Sequence, residues 1–594
     1  FDKGWWWLVK QALKLYPHSS QERNAALLTT ACRGNLCMVK YLCSLPADRG
    51  VDPSADNNYA IRKASENGHL QVVEYLCSLP ADRGVNPSAD NNIAIRMASD
   101  SGHLQVVQYL CSLPADRGVD PSACSNYAIS TASQGGHVQV VEYLCSLPAD
   151  RGVDPSTYDN SAIRMASFYG HLLVVQFLCS LPAARGVDPS ADNNDAIRLA
   201  SLCGHLQVVQ YLCSLPADRG VDPSADNNCA IRVASRYGKL QVVQYLCSLP
   251  ADRGVNPSAD NNHAIRKASE SGHLQVVQYL CSLPADRGVS PSANNNYAIR
   301  KASESGHLQV VQYLCSFPAD RGVNPSADNN YAIREASQMG RLLVVQYLCS
   351  LPAARGVDPS AGNNHAIQVA SKNGHLQVVQ YLCSLPADRG VDPSADNNIA
   401  IRMASLHSQV VQYLCSLPAD RGVNPSADNN FAIRFASRYG KLQVVQYLCS
   451  LPADRGVDPS ADNNFAIQEA SRSGKLQVVQ YLCSLPARRG VNPSADNNYA
   501  IRAASINGYL QVVEYLCSLP ADRGVNPSAN NNYAIRKASE NGHLQVVEYL
   551  CSLPADRGVN PSANNNYATR KASENGHLQV VEYLHSLPAR RGEH

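Results

Sequence analysis

The chain has 594 residues and a formal net charge of +2, with acidic and basic residues mixed throughout. So balanced a charge creates no overall field that would steer the protein onto nucleic acid or an anionic membrane, which disfavours both classes of partner. No run of about eighteen apolar residues exists, so no membrane-spanning helix is predicted.

The first 23 residues precede the repetitive part of the chain and predict a capping helix. Within GWWWLVKQALKLYP, one helical stripe carries the apolar residues Trp5, Leu8, Val9, Ala12 and Tyr16. Trp7 falls on the polar face instead. Residues 24–52 then keep the skeleton of a repeat in degraded form. We expect the capping helix to cover the end of this degenerate first repeat.

A 34-residue block recurs from residue 53 onwards, with Gly68, Gly102 and Gly136 marking the step. Fifteen tandem repeats occupy 53–560, and a further repeat occupies 561–594. Because one such unit is too small to bury an apolar face alone, neighbouring units must stack into an all-α helical-repeat solenoid. The last repeat has polar residues in mostly apolar columns, at Thr569, His585 and Glu593, as a terminal cap needs.

Each repeat predicts two short helices and a loop. The first helix covers residues 58–65, with Asp56 or Asn57 as its N-cap. Gly68 breaks it, and the apolar stretch from Leu70 to Leu79 predicts a buried second helix. Residues 80–83 predict a further short turn that Gly84 ends in the left-handed conformation. The remainder, including PSADNN, is predicted as loop.

The stretch YAIRKASENGHLQVVEYLC at Tyr59–Cys77 resembles the ankyrin repeat. Ala64, Gly68 and His69 match the family pattern, as do the apolar residues of the second helix. Asn-Tyr-Ala-Ile-Arg in place of the usual Thr-Pro-Leu-His resembles a divergent subtype found in protists and large viruses. The resemblance implies helix-turn-helix units that bind proteins. The inserted SLPADR leaves few residues for the family's projecting hairpin, so we expect short loops with little or no strand.

Cysteine and histidine recur as columns rather than as sites. Sixteen of the 21 cysteines occupy one position near the end of the second helix. Stacked helices lie roughly 8–10 Å apart, too far for a disulfide or a four-ligand metal site, so buried thiols are predicted. The histidine after the break glycine is replaced by Lys239 or Tyr509 elsewhere, which favours a structural role. No catalytic, cofactor-binding or metal-binding motif was found, and no enzyme is predicted.

Variation between copies concentrates on the first helix and the turn after it. In ankyrin arrays the matching positions line the binding groove, so the resemblance makes these columns the predicted partner surface. Aromatic and basic variants in them are typical of interface anchors. The candidate binding residues are Tyr59, Lys63, Phe168, Tyr169, Arg236, Tyr237, Phe431, Phe435, Arg438, Tyr439 and Arg472. Acidic residues interrupt the basic ones, which argues against nucleic acid.

Two functions remain open at this point. One is a non-enzymatic scaffold that binds a protein partner along the groove, and the other is a structural rod or filament subunit built by repeat stacking and self-association. Reduced cysteines favour an intracellular, cytoplasmic location. A chain that begins with Phe1 rather than Met leaves secretion open. The partner's identity is not encoded in any pattern we found.

One copy is shorter than the others. Only three residues separate Ser405 from Gln409, where the other copies have five. Loss of the turn and of the leucine that opens the second helix predicts that this helix begins late.

Overall fold

The computed structural model describes residues 20–45, 51–318 and 321–587. Most of the predicted capping helix, residues 1–19, lies outside them. Its last residues belong to the helix Ser20–Cys32, which continues through residue 24 into the degenerate first repeat. The chain divides into two compact units, Phe1–Ala293 and Asn294–His594.

The first unit consists of paired helices. Its first helices are Ser20–Cys32, Ala55–Glu66, Ala89–Asp100, Ala123–Gln134, Thr157–Tyr169, Ala191–Cys203, Ala225–Arg236 and Ala259–Glu270. Its second helices are Leu36–Cys43, Leu70–Cys77, Leu104–Ser112, Val138–Ser146, Leu172–Ser180, Leu206–Ser214, Leu240–Ser248 and Leu274–Ser282. Short 3-10 helices follow at Ala81–Arg83, Ala115–Arg117, Ala149–Arg151, Ala183–Arg185, Ala217–Arg219, Ala251–Arg253 and Ala285–Arg287.

The second unit repeats this order. Its first helices are Ala293–Ser305, Ala327–Gln338, Ala361–Lys372, Ala395–Met403, Ala427–Arg438, Ala461–Arg472, Ala495–Ile506, Ala529–Glu540 and Ala563–Glu574. Its second helices are Leu308–Cys315, Leu342–Ser350, Leu376–Ser384, Ser408–Ser416, Leu442–Ser450, Leu476–Ser484, Leu510–Ser518, Leu544–Ser552 and Leu578–Ser586. Its 3-10 helices are Ala353–Arg355, Ala387–Arg389, Ala404–Leu406, Ala419–Arg421, Ala453–Arg455, Ala487–Arg489, Ala521–Arg523 and Ala555–Arg557.

Within each unit, first helices pack on first helices and second helices on second helices. The core is a layered set of small and branched side chains that recurs in every copy. In the repeat that begins at residue 53 it consists of Ala60, Ile61, Ala64, Val72, Val73 and Leu76, all at most 1% exposed. Within the described ranges there is no strand, which confirms the prediction of short, strand-free loops. None of the described helices has the length and apolar character needed to cross a bilayer.

The PSADNN segment is not the loop that the sequence predicts. It enters the first helix through three consecutive left-handed residues, Asp56, Asn57 and Asn58, with φ of 52°, 56° and 62°. The predicted N-cap role of Asp56 or Asn57 is therefore wrong, and Ser54 precedes the helix instead. Asn and Asp tolerate this conformation because their short polar side chains bond locally.

The third left-handed residue is Asn in every described copy because its side chain joins two repeats. Asn58 Oδ1 accepts a hydrogen bond from the backbone N–H of Asn86, 28 residues later, at 2.7 Å. The first position pairs with an arginine of the preceding repeat in several copies where it is Asp, as in Arg164–Asp192, but it also accepts Tyr158 and Gly362, and the second position accepts Ser125.

An arginine in the 3-10 helix makes a second connection between repeats. Arg83 donates from Nη1 to the Cys43 carbonyl at 2.9 Å and from Nη2 to the Val51 carbonyl at 3.0 Å. It thereby satisfies a carbonyl at the end of the preceding second helix, which has no helical partner. Gly84 ends the turn with φ of 68°, as predicted.

The histidine after the break glycine makes the third connection. His69 Nε2 lies 3.0 Å from the Cys32 carbonyl of the preceding repeat. Its ring lies against Gly34, where a Cβ would be 2.4 Å from His69 Nδ1. Besides opening the second helix of its own repeat, this residue therefore fastens that repeat to the one before it.

The short copy keeps these connections. Its first helix ends at Met403, a 3-10 turn spans Ala404–Leu406, and the second helix begins at Ser408, in register with the other copies. The predicted late start is therefore wrong. His407 takes the usual histidine place, 3.0 Å from the Lys372 carbonyl. The deletion removes only the two turn residues between the helices, and Ser408 replaces the leucine.

Two of the predicted polar residues in the last repeat lie inside the described residues. Thr569 is half-buried where Ile535 is fully buried, and His585 is exposed at the cysteine position. Glu593 lies outside the described residues.

Candidate partner-binding surface

The exposed side of the first helices and of the turns after them forms what we call the first-helix face. The arginines of the Ala-Ile-Arg triplets run along this face from repeat to repeat, and we call them the arginine ladder. Arg62 pairs with Asp90 of the next repeat at 3.3 Å, and Arg96 lies 4.5 Å from the ring centre of Tyr127. Because the same contacts recur along both units, the ladder supports the variable side chains beside it.

Two of the predicted residues, Tyr59 and Lys63, belong to this supporting framework. Both are half-buried, and the Lys63 ammonium lies 5.8 Å from the Tyr59 ring centre. Lys63 also pairs with Glu66 at 2.6 Å, and this hydrogen bond raises its pKa. The charge of Lys63 is therefore already neutralised by its neighbour.

One aromatic pair and one arginine–tyrosine pair lie on the first-helix face of the first unit. Phe168 and Tyr169 meet edge to face with ring centres 4.9 Å apart, and Tyr169 is 46% exposed. The Arg236 guanidinium lies 5.5 Å from the ring of Tyr237, which is 49% exposed. Exposed rings of this size are the kind of side chain that anchors interfaces.

The largest aromatic cluster lies in the second unit, along the helix Ala427–Arg438 and the turn after it. The rings of Phe431 and Phe435 are stacked 5.2 Å apart, and Tyr439 continues the series 4.6 Å beyond Phe435. Spacing of four residues places the three rings on one side of the helix. Phe431 also lies beneath Arg402 of the preceding repeat, at 5.1 Å.

This cluster borders a recess of about 380 Å³. We call it the basic recess, and its principal residues are Arg438, Tyr439, Glu469, Arg472, Lys475 and Tyr509. Glu469 Oε1 lies 3.2 Å from Arg472 Nη1, and its Oε2 lies 3.5 Å from Arg438 Nε. The hydrogen bond to Glu469 raises the pKa of Arg472. The structure thus brings five predicted residues together: Phe431, Phe435, Arg438, Tyr439 and Arg472.

Sequence reasoning missed three members of the recess. Glu469 was interpreted only as one of the acidic residues that interrupt the basic ones. Its spacing of three residues from Arg472 already allowed an ion pair on the helix. Lys475 and Tyr509 replace the structural histidine, and that replacement was the available signal. Their side chains keep the histidine's place against Gly440 and Gly474 of the preceding repeats.

Comparison with known proteins decides the family. The model for ankyrin repeats (three copies) matches residues 25–121, 95–193, 197–295, 265–363, 299–396, 433–531 and 500–590. The chain belongs to the ankyrin-repeat family. Ankyrin repeats are generally protein–protein interaction modules. No curated protein matches the chain.

Among solved structures, the chain is similar to an ankyrin repeat family protein from Legionella pneumophila. The two share 21% sequence identity, and the match covers 49% of this chain and 89% of the other, with a TM-score of 0.23.

The ankyrin cysteine column carries no metal or disulfide chemistry in the described residues. None of the 21 cysteines forms a disulfide bond, and fifteen of the sixteen in the column are buried. Burial raises the pKa of Cys77 to about 11, and of most others in the column similarly. No group of three or more potential ligands is placed to hold a metal ion within the described ranges.

One ankyrin repeat carries a histidine that should make its stability depend on pH. Burial, followed by the nearby Arg232, Arg266 and Lys267, lowers the pKa of His263 to about 4, with Asp260 opposing. Unfolded, the same side chain titrates near 6.5. Between these values the unfolded state binds more protons, so the stability of this repeat should fall as pH decreases from about 6.5 to 4.

Replacing His263 with Tyr, the residue of several sibling repeats, should remove this contribution. We expect hydrogen exchange in the helix Ala259–Glu270 to accelerate more steeply with acidification in the wild type than in His263→Tyr, after correction for intrinsic rates. Parallel profiles from pH 7 to 4 would show that His263 titrates alike in both states.

Proposed function

We propose that the protein is a non-enzymatic scaffold that binds a protein partner through its first-helix face. The observation that supports this most is the exposure of aromatic rings that the stacking of repeats does not need. Tyr169, Tyr237 and Tyr439 are each nearly half exposed at the same position of different repeats. Stacking does not need them, because Asn67 and Asn373 occupy that position elsewhere. Rigid, exposed tyrosines reduce the entropy cost of binding.

The test replaces these three tyrosines by Asn, the residue of sibling repeats. Wild type and the triple variant are compared by affinity capture from native cells with quantitative mass spectrometry. We expect proteins enriched by the wild type to fall at least about tenfold with the variant, as for interface anchors. Thermal unfolding should change little, since the substitutions are exposed.

Tyr158→Asp provides a matched control. Tyr158 is 66% exposed but lies in the left-handed turn, where sibling repeats have Asp. It removes an exposed ring elsewhere on the surface and should leave capture unchanged. Equal losses from both variants, or no protein enriched by the wild type, would rule out this function.

A structural role is the second candidate, because the bonds between repeats are the same from copy to copy. Light scattering across a concentration series separates the two on the same preparations. A scaffold stays monomeric, whereas a filament subunit grows in mass with concentration.

A further inference from the structure

The basic recess of the second unit has more positive charge than its surroundings neutralise. Arg438, Arg472 and Lys475 contribute three cations, and Glu469 is the one carboxylate among them. Two positive charges are therefore in excess within a recess of about 380 Å³. Such a site has electrostatic complementarity to an anionic group.

Glu469 is buried and its hydrogen bonding is incomplete. The residue is 3% exposed, yet its Oε2 accepts no hydrogen bond within the described residues. Asp195 of the first unit is a contrasting case, because both of its oxygens contact guanidinium groups there. Leaving a buried carboxylate oxygen without a hydrogen-bond donor costs free energy. The attraction of Glu469 therefore holds the neighbouring Arg438 and Arg472 guanidinium groups beside the recess.

Lys475 is the third cation of the recess. Its side-chain ammonium makes no ion pair or hydrogen bond within the described part of the chain, and its stem lies along Gly440. Tyr509 occupies the equivalent position of the next repeat, with its ring against Gly474. Both side chains are therefore positioned by packing, while their polar ends remain available to a ligand.

We propose that the basic recess binds a carboxylate of an acidic peptide segment in the protein partner. Arg438, Arg472 and Lys475 hold the carboxylate, and Glu469 acts as a positioning residue for the two arginines. An apolar side chain of the same segment lies on the Phe431–Phe435–Tyr439 stack beside it. This proposal rests on the proposed function and names the chemistry of one part of the partner.

A nucleic acid fits this surface less well than a peptide. A phosphate backbone repeats its charge along the strand and needs a continuous basic track. In the next repeat, Ile506 occupies the position of Arg472. One repeat further on, Lys537 occupies the position of Glu469 and is already paired with Glu540. The basic residues therefore do not continue as a track into the next two repeats, which suits a short acidic segment.

The test uses a fluorescein-labelled peptide of ten glutamates and two leucines, with fluorescence anisotropy of the full chain. A peptide with Gln in place of each Glu is the neutral control. We expect the acidic peptide to bind and the neutral one not to bind. Arg472→Gln and Lys475→His should each weaken binding by about tenfold, as for loss of a charged hydrogen bond.

Arg236→Gln is the matched control variant. It removes the same charge at the equivalent position of the first unit, beside an exposed tyrosine, but without a buried carboxylate. It should change affinity by less than about twofold. An equal loss in Arg236→Gln would reveal general charge attraction and overturn the proposal, as would unchanged binding in both recess variants.

Inorganic phosphate forms the second arm. If free phosphate displaces the peptide at the peptide's own concentration, the recess binds a free anion and the peptide assignment is wrong. The proposed function can fail separately. If the triple tyrosine variant still captures every partner while the recess variants lose the acidic peptide, binding of the peptide by the recess is supported. The proposed binding of a partner through the wider first-helix face is then wrong.

Discussion

Alanine at Gly508 is expected to cost about 2–5 kcal/mol, whereas alanine at Gly576 should cost only about 1–2 kcal/mol. The two glycines have almost the same backbone, with φ of 75° and 77°. A Cβ at Gly508 would lie 2.6 Å from His543 Nδ1, but a Cβ at Gly576 would meet none of the described residues within 4 Å. The pair therefore separates the strain of a left-handed alanine from the clash with the histidine of the next repeat.

Local hydrogen exchange is the appropriate measurement, since coupling in a repeat protein is between neighbours. Exchange should accelerate in Leu510–Ser518 for Gly508→Ala and to a smaller extent in Leu578–Ser586 for Gly576→Ala. Adding His543→Ala should reduce the cost of Gly508→Ala to the level seen at Gly576. Similar costs for the two single variants would mean that the histidine moves aside freely.

Native labelling with a thiol reagent should divide the 21 cysteines into distinct classes. Cys37 and Cys124 are exposed and should react first, and the half-buried Cys32, Cys203, Cys229 and Cys551 should follow. The fifteen buried column cysteines should react slowest. A pKa of about 11, as at Cys77, lowers the thiolate fraction at pH 8 about a hundredfold relative to a free cysteine.

Mass spectrometry of timed, quenched samples assigns the modified positions, and labelling in denaturant provides the total. We expect all 21 thiols to react after denaturation without reductant. Fast native modification throughout the column would contradict the packing of the second helices. Disulfide-linked peptides from successive repeats would contradict the absence of disulfides in the structure.

The two helices of each repeat could be predicted because the residues that determine them are close together in the sequence. Ala60, Ile61 and Ala64 have helical spacing, Gly68 breaks the helix, and Val72 and Val73 are apolar. The left-handed entry could not be predicted in this way. Asp-Asn-Asn is compatible with a cap, a loop or left-handed residues, and the choice depends on the bond from Asn58 to a repeat that lies 28 residues away.

The candidate surface was predictable in part. Comparing copies identified Phe431, Phe435 and Tyr439, because aromatic substitutions stand out in a uniform array. It did not identify Glu469 as a binding feature, because burial depends on the packing of two adjacent repeats. Nor did it show that Tyr59 is half-buried beside Lys63 in the framework, because that contact also depends on packing.

The connections between repeats also bear on how such a chain changes in length. Each repeat bonds to the copy before it through its Arg83-type donor and, where the histidine is present, through its His69-type donor. It accepts the corresponding bonds from the copy after it. Asn58 and its equivalents follow the same neighbour-to-neighbour rule. Gain or loss of one whole 34-residue unit within either compact unit leaves no donor or acceptor of these kinds unmatched at the new junction. The number of repeats can therefore evolve without redesign of these three kinds of contact.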